Sequence, residues 1–297
     1  MMGFGDALMA TAQARELANH TSLKVAFGDG VKVRWGGPEQ EVFQGNPRLA
    51  TQDYVDQGHE VFWVENYSGH RPYIDRDRMV GDFRALFPQD KFTMKRRLDK
   101  LPWRFTDWRA RDVGPGEIYL TPNERWEARH WADKRFAVIE PGTKSGASPN
   151  KQWSSARYQE VARRLGMSFI QFNPEHGPLP DAVPVRTPSF RTACAILSHA
   201  AIYIGTEGGL HHAAAALGVP AVVYHGGYIS PDTTGYEGQI ALYRDNCSPC
   251  GQRVNCPHCR AIADEITADE ALDAIRSILD GRDTAREIHR GDLVSGA

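Results

Sequence analysis

Glu207, Gly208, Gly209, Leu210 and His212 form the densest set of chemically useful residues in the sequence. They join an apolar run, Ala201-Ile202-Tyr203-Ile204, to an alanine-rich stretch that stops at Gly218 and Pro220, before Ala221-Val222-Val223-Tyr224. An apolar β-branched run bounded by glycines reads as a buried strand, and an alanine-rich run with a glycine–proline stop reads as a short helix. Strand, glycine loop, helix and strand make a βαβ unit with parallel strands. Its helix starts where glycines let a ligand approach the backbone. The free N–H groups there, with the helix dipole, make a site for an anion such as phosphate. A carboxylate repels such an anion, which assigns Glu207 to hydroxyl groups beside it. His212, one turn into the helix, either donates to phosphate or packs against the sheet, and His211 is read as incidental.

A second constellation is Cys247-Ser248-Pro249-Cys250 followed after five residues by Cys256-Pro257-His258-Cys259. Paired Cys-x-x-Cys elements are the usual way to offer four thiolates to zinc, though this separation is shorter than in most zinc ribbons. Structural zinc, free thiols and disulfides all stay open, and four cysteines would fill the coordination sphere, which argues against a catalytic zinc. A third is Gly3-Phe4-Gly5-Asp6 at the head of a clear helix pattern. Aspartate at a helix start satisfies free N–H groups, so Asp6 reads as an N-cap whatever else it does.

The stretch Glu207-x-Gly209-x-x-His212-x-Ala-x-Ala-Leu-Gly-x-Pro220 resembles the nucleotide-sugar motif of the family 9 glycosyltransferases, the heptosyltransferase family, usually Asp-Ser/Thr-Gly-x-x-His. The departure is Glu207 in place of aspartate, which keeps the charge and lengthens the reach. Lys151-Gln152-Trp153-Ser154 and the helix pattern after it resemble the family's Lys-x-Trp-Pro, with Ser154 for proline, and Gly5-Asp6 resembles its first Gly-Asp loop. The resemblance covers 136–227 and 3–17. It implies that Lys151 holds the diphosphate of a sugar donor, that Gly5, Thr143, Lys144, Glu207, Gly208, Gly209, Leu210 and His212 belong with the donor, and that Asp6 is the general base. In the family the Gly-Asp loop follows a first strand. Here that strand is almost absent, so either the start given is late, or the strand is trimmed, or it is reduced to a stub.

The 297 residues suit two domains of middling size. With 41% apolar residues and a formal net charge of −2, the chain reads as an ordinary soluble protein with no global bias toward nucleic acid or membrane. No apolar run reaches about 18 residues and no signal peptide is present, which points to the cytoplasm. One local exception is 91–111, with eight Lys/Arg against two Asp interleaved with Phe92, Trp103, Phe105 and Trp108. It reads as a solvated helix face with core aromatics, or as a contact for an anionic acceptor, nucleic acid or a membrane surface. The aromatic loop from Tyr67 to Tyr73 is of a kind that lines sugar sites, and Asp75-Arg76-Asp77 reads as a charged turn rather than a metal motif.

Strands are expected at Val25 to Phe27, Glu60 to Val64, Glu117 to Leu120, Phe136 to Ile139 and Ser168 to Phe172. Helices are expected at Asn123 to Trp131, Ala156 to Leu165, Thr192 to His199 and Thr267 to Leu279, with Gly36-Gly37-Pro38 a loop and a loose tail to Ala297. Alternating strands and helices imply doubly wound parallel sheets, with ligand outside the carboxyl ends of the strands. The expectation is an α/β chain of GT-B architecture. An acceptor-side Rossmann-like domain takes 1–134, a nucleotide-sugar-binding one takes 135–280, and the tail takes 281–297. The function expected is metal-independent inverting transfer of a sugar, heptose or similar, from a nucleoside diphosphate sugar (ADP-heptose-like) to a hydroxyl of an anionic glycan or other acceptor, with no catalytic cofactor. Two other classes compete. One is a nucleotide-sugar epimerase or hydrolase on the same fold, and the other is a nucleic-acid-binding protein that uses 91–111.

Overall fold

Short apolar β-branched runs separated by amphipathic helices can bury both faces only by laying the strands parallel and covering each face with helices. The computed structural model of the chain describes residues 3–65, 72, 109–143, 146–174, 177–244, 250 and 254–292. It divides into two compact units, Met1–Tyr119 and Leu120–Ala297.

In the first unit, helix α1 (Phe4–Thr21) precedes strand β1 (Lys24–Gly28), helices α2 (Gly37–Phe43) and α3 (Gln52–Asp56), strand β2 (Val61–Glu65) and helix α4 (Ala110–Val113). Strands β1 and β2 are parallel, with Val25 opposite Phe62 and Phe27 opposite Val64. The first half of α1 is alanine-rich and buried from Gly5 to Ala12. Small side chains there let other backbone come close. Segment 114–120 uses that room: the Glu117 N–H donates to the Thr11 hydroxyl at 2.7 Å, and Arg15 donates to the carbonyls of Val113 and Pro115. The strand expected at Glu117 to Leu120 is therefore not formed, because Glu117 pairs with a side chain of α1 rather than with a ladder. Gly36-Gly37-Pro38 is not a loop but the start of α2. Pro38 sits where a helix needs no N–H, and the Glu39 carboxylate accepts from the Gly36 N–H.

In the second unit, helix α5 (Pro122–Ala128) leads to strand β3 (Phe136–Glu140), helix α6 (Ser155–Leu165), strands β4 (Ser168–Phe172) and β5 (Val183–Val185) and helix α7 (Phe190–Leu197). Strand β6 (Ile202–Thr206), helix α8 (Gly209–Ala216), strand β7 (Ala221–Tyr224), helix α9 (Pro231–Thr234), strand β8 (Gln239–Leu242) and helices α10 (Pro257–Glu265) and α11 (Ala268–Asp292) follow. All six strands are parallel in the order β5-β4-β3-β6-β7-β8. The order reverses between β3 and β6, and in doubly wound sheets the crevice beyond the carboxyl ends of the strands at that point is where ligands bind. A continuous core of Ala137, Ile139, Ile202, Ile204, Val222 and Tyr224 from the strands meets Tyr158, Val161, Ile262, Leu272 and Ile275 from α6, α10 and α11. Helix α11 opens on a reciprocal cap between Thr267 and Glu270 and runs to Asp292, so the tail expected beyond Leu279 is helical for thirteen more residues, Asp280 to Asp292. Strand β8 and helix α10 had no counterpart in the sequence reading. No helix among the described residues is long and apolar enough to cross a membrane.

Gly116 tests how α1 is seated. A Cβ added there would lie 2.2 Å from the Leu8 carbonyl oxygen, a backbone atom that cannot turn away. Gly116→Ala should destabilise the first unit by at least ~2 kcal/mol, read as a lowered urea midpoint. A midpoint unchanged within error would mean that 114–120 does not pack on α1 in this way.

Candidate functional site

The carboxyl ends of β3 and β6 lie side by side, Glu140 opposite Gly205, and each is followed by a loop that carries a chemically useful side chain. After β3, the loop is tied back by Thr206, whose hydroxyl donates to the Gly142 carbonyl at 3.2 Å. It then reaches a short turn, Pro149–Lys151, and Trp153. Trp153 is buried, stacks on Tyr224 at 5.7 Å and donates its ring N–H to the Ile266 carbonyl. This anchor fixes Lys151 two residues before it. After β6, Glu207 donates its own N–H to the Tyr224 carbonyl, Gly208 is extended, and α8 begins at Gly209. The first intrahelical bond runs from the His212 N–H to the Gly208 carbonyl. The N–H groups of Gly209, Leu210 and His211 therefore precede the helical ladder, at half-buried positions for Gly209 and Leu210.

Glu207 is 5% exposed, and both its oxygens are engaged. Oε2 pairs with the Lys151 ammonium, and Oε1 lies 3.3 Å from His212 Nε2. His212 Nδ1 is 2.7 Å from the Tyr236 hydroxyl, so the ring fits as Nε2–H donating to the carboxylate with Nδ1 accepting from the phenol. Burial pushes the Glu207 pKa up, but the Lys151 charge and then the His212 hydrogen bond outweigh it and hold the carboxyl well below its ordinary range. Lys151 also lies 4.9 Å from the centre of the Tyr228 ring.

Around this charged pair, burial disfavours the charged forms of three further groups, His211, His225 and Glu140. His211, fully buried, shares a hydrogen bond with Gln239 at 2.8 Å and packs against the rings of His212 and His225. Burial, then His212 and His225, push its pKa well down. Burial brings His225 down to about 4. Glu140 accepts from the Phe172 N–H, and burial raises it to about 8.

The structure thus brings Lys151, Glu207, Gly208, Gly209, Leu210 and His212 together, with Thr143 on the same loop as Lys151 and bonded to Gln152. Lys144, Cys247, the loop from Tyr67 to Tyr73 apart from Pro72, Asp75-Arg76-Asp77 and the basic–aromatic stretch up to Trp108 lie outside the described residues. Gly5 and Asp6 are in the first turn of α1, in the other unit. Asp6 is not the N-cap. Gly3 holds that place, and the Asp6 carboxylate reaches back to accept from the Gly3 N–H at 2.9 Å. Cys250, Cys256 and Cys259 are free thiols whose sulfurs all lie within 4.8 Å of one another, a set that can hold a metal ion. The sequence reading missed Glu140, His225, Tyr228, Tyr236 and Gln239. The one signal was position, since Glu140 and His225 stand directly at the carboxyl ends of strands.

Two measurements follow from this geometry. In a double-mutant cycle, Lys151→Met, Glu207→Gln and the double variant should show a coupling of about 1–3 kcal/mol, with Lys151→Met the costlier single change because Glu207 is the more deeply buried partner. Zero coupling would remove the pair. The second concerns pH. Folded His225 stays neutral down to about 4, whereas unfolded histidine titrates near 6.5. Between those values the unfolded chain binds more protons, so the stability is complete above ~6.5 and is lost as pH falls toward 4. Wild type should lose about 2 kcal/mol more than His225→Gln between pH 7 and pH 5 in urea titrations.

No protein-family model and no curated protein matches the sequence. Among solved structures, the glycosyl transferase family 9 protein from Veillonella parvula DSM 2008 aligns over 94% of this chain and 95% of its own, at 14% identity and a TM-score of 0.56. E. coli ADP-heptose lps heptosyltransferase II aligns at 16% identity and a TM-score of 0.43, over 57% of this chain. E. coli heptosyltransferase WaaC with ADP-2-deoxy-2-fluoro heptose aligns at 16% and 0.36, over 52% of this chain. The chain spans about half the length of these two E. coli proteins, 54% and 47%. Over nearly its whole length, then, this chain shares the fold of a family 9 glycosyl transferase.

Proposed function

We propose that the chain is a glycosyltransferase that moves a sugar from a nucleoside diphosphate sugar to a hydroxyl acceptor with inversion. The observation that carries the reading is the pairing of Lys151 with Glu207 at the start of α8, where the sheet order reverses. A cation beside unbonded helix N–H groups is what a diphosphate needs, and a carboxylate beside them suits sugar hydroxyls. Glu207 has lone pairs left for such hydroxyls while it also holds Lys151 and His212 in place. The likeness of motif to the heptosyltransferase family supports an ADP-heptose-like donor, and the two units stand for the two Rossmann-like domains of a GT-B enzyme.

In this reading the second unit binds the donor and Asp6 of the first acts as general base. The acceptor hydroxyl gives its proton to the Asp6 carboxylate as its oxygen bonds to the anomeric carbon. The bond from that carbon to the diphosphate breaks on the opposite face. Lys151 and the N–H groups of Gly209 and Leu210 meet the leaving charge, so the chemistry asks for no metal.

A thermal-shift series with ADP, UDP and GDP and their sugars tests the donor site. At 100 times its Kd a ligand adds about 2.7 kcal/mol, and Lys151→Met should abolish the shift. If no nucleoside diphosphate shifts the midpoint, the donor reading fails. For the base, Asp6→Asn keeps an oxygen for the Gly3 N–H, so stability should move by no more than ~0.5 kcal/mol. Transfer to the acceptor should fall roughly 10²–10⁴-fold with donor affinity intact. Near-normal turnover in Asp6→Asn would send the search for the base elsewhere. Product analysis with and without acceptor separates transfer from epimerisation or hydrolysis.

A further inference from the structure

Cys250, Cys256 and Cys259 are not part of the donor chemistry, yet they are joined to it. Cys256 caps α10 and Cys259 lies one turn in, both buried, and Cys250 brings its sulfur to 3.3 Å from that of Cys259. A zinc ion with Zn–S bonds near 2.3 Å places tetrahedral sulfurs ~3.8 Å apart, inside the spread of these three. Three soft ligands on one small volume suit zinc or iron, and neither calcium nor magnesium.

The link to the donor site is Asn150, 4% exposed and adjacent to Lys151. Its amide oxygen accepts from the Cys256 N–H at 2.9 Å. Its amide nitrogen donates to the Val254 carbonyl at 2.8 Å and faces the Cys250 sulfur at 3.7 Å. A second link runs through the loop after β7. The Cys250 N–H donates to the Gly227 carbonyl at 2.9 Å, and a Cβ on Gly227 would lie 2.7 Å from the Cys259 sulfur. The next residue is Tyr228, whose ring faces Lys151. Both loops that flank the Lys151 ammonium are thus fastened to the cysteine-bearing segment.

We propose that Cys250, Cys256 and Cys259 bind one thiophilic divalent ion, zinc or iron, and that this ion holds Lys151 in its donor-binding position through Asn150 and the Gly227–Tyr228 loop. Binding converts the three thiols to thiolates and releases their protons to solvent, with no change of oxidation state. Asn150 acts as a positioning residue. The coupling half of the proposal rests on the donor site proposed above, and the metal half does not.

The test uses the full chain purified without chelator. Elemental analysis with a thiol count should give about one zinc or iron per chain, lost in Cys256→Ser and in Cys259→Ser. Absence of metal with the thiols free, or a Cys250–Cys259 disulfide found by mass spectrometry, overturns the site. ADP titrated calorimetrically into metal-loaded and chelator-stripped protein should bind about tenfold more weakly to the stripped form, with recovery on adding zinc or ferrous ion. Because stripping can unfold the segment, Asn150→Ala in loaded protein provides a second reading. It should keep its metal and weaken ADP by a similar factor. Unchanged ADP affinity in Asn150→Ala overturns the coupling. ADP that binds neither form of the wild type brings down the donor reading and the coupling with it, while the metal content still decides the site.

Discussion

The buried carboxylate of Glu207 is the constraint on which the second unit's functional end depends. A charge taken out of water costs several kcal/mol unless it is paired and hydrogen-bonded, and Glu207 is 5% exposed. Its two partners come from different elements: Lys151 from the loop after β3, and His212 from inside α8. That pairing is available only because β3 and β6 are neighbours, which follows from the reversal of strand order. The same demand propagates outward. With His212 Nε2–H donating to the carboxylate, the other ring nitrogen takes the Tyr236 hydroxyl as its partner, from the segment before β8. Lys151 can stay in reach only if its loop is pinned, and Trp153 and Asn150 pin it on either side.

Much of this was legible because the signals were local. Ser168–Phe172 and Ala221–Tyr224 came out with the bounds expected, since each is an apolar run with glycine or proline close to its ends. Lys151, Glu207, Gly209 and His212 were picked out by likeness to a family's motifs, and such a likeness survives without knowledge of the fold. What was missed depends on topology or on competition. Tyr236, His225 and Gln239 reach the site from separate turns and strands, and no pattern along the chain joins them to residue 212. Glu117 to Leu120 has a strand's composition but lost its ladder to the Thr11 hydroxyl. Asp6 was read as a cap at its own position, yet the helix begins two residues earlier, at Phe4, and uses it from inside. Beyond Leu279 the helix continues without an apolar stripe, so periodicity gave no sign of it.

The two units differ in how they hold their candidate residues. Around Asp6 the packing is by small groups: alanines along α1 and a glycine at 116 let backbone run against backbone. Such contacts seat the helix end with little freedom. Around Glu207 the packing is by large polar rings, His211, His212, His225 and Tyr236, with hydrogen bonds between His212 and Tyr236 and between His211 and Gln239. Low local polarity makes these bonds stronger and makes any unpaired charge dearer.

That last point explains the distribution of charge. Glu140 is raised to about 8 and His225 is lowered to about 4, with His211 pushed down too, so none of them carries charge at pH 7. Lys151 and Glu207 remain as a pair with no net charge. Because Glu207 is paired with Lys151, it does not stand as a bare carboxylate at the start of α8, which answers, for the donor reading proposed above, the objection that an acidic residue beside a phosphate must repel it. Unit charges 4 Å apart interact by about 4 kcal/mol at an effective dielectric of 20, so a bare Glu207 would repel strongly, and the ammonium offsets that. In the proposed donor site the carboxylate is the counter-charge that holds Lys151 beside the loop that opens α8.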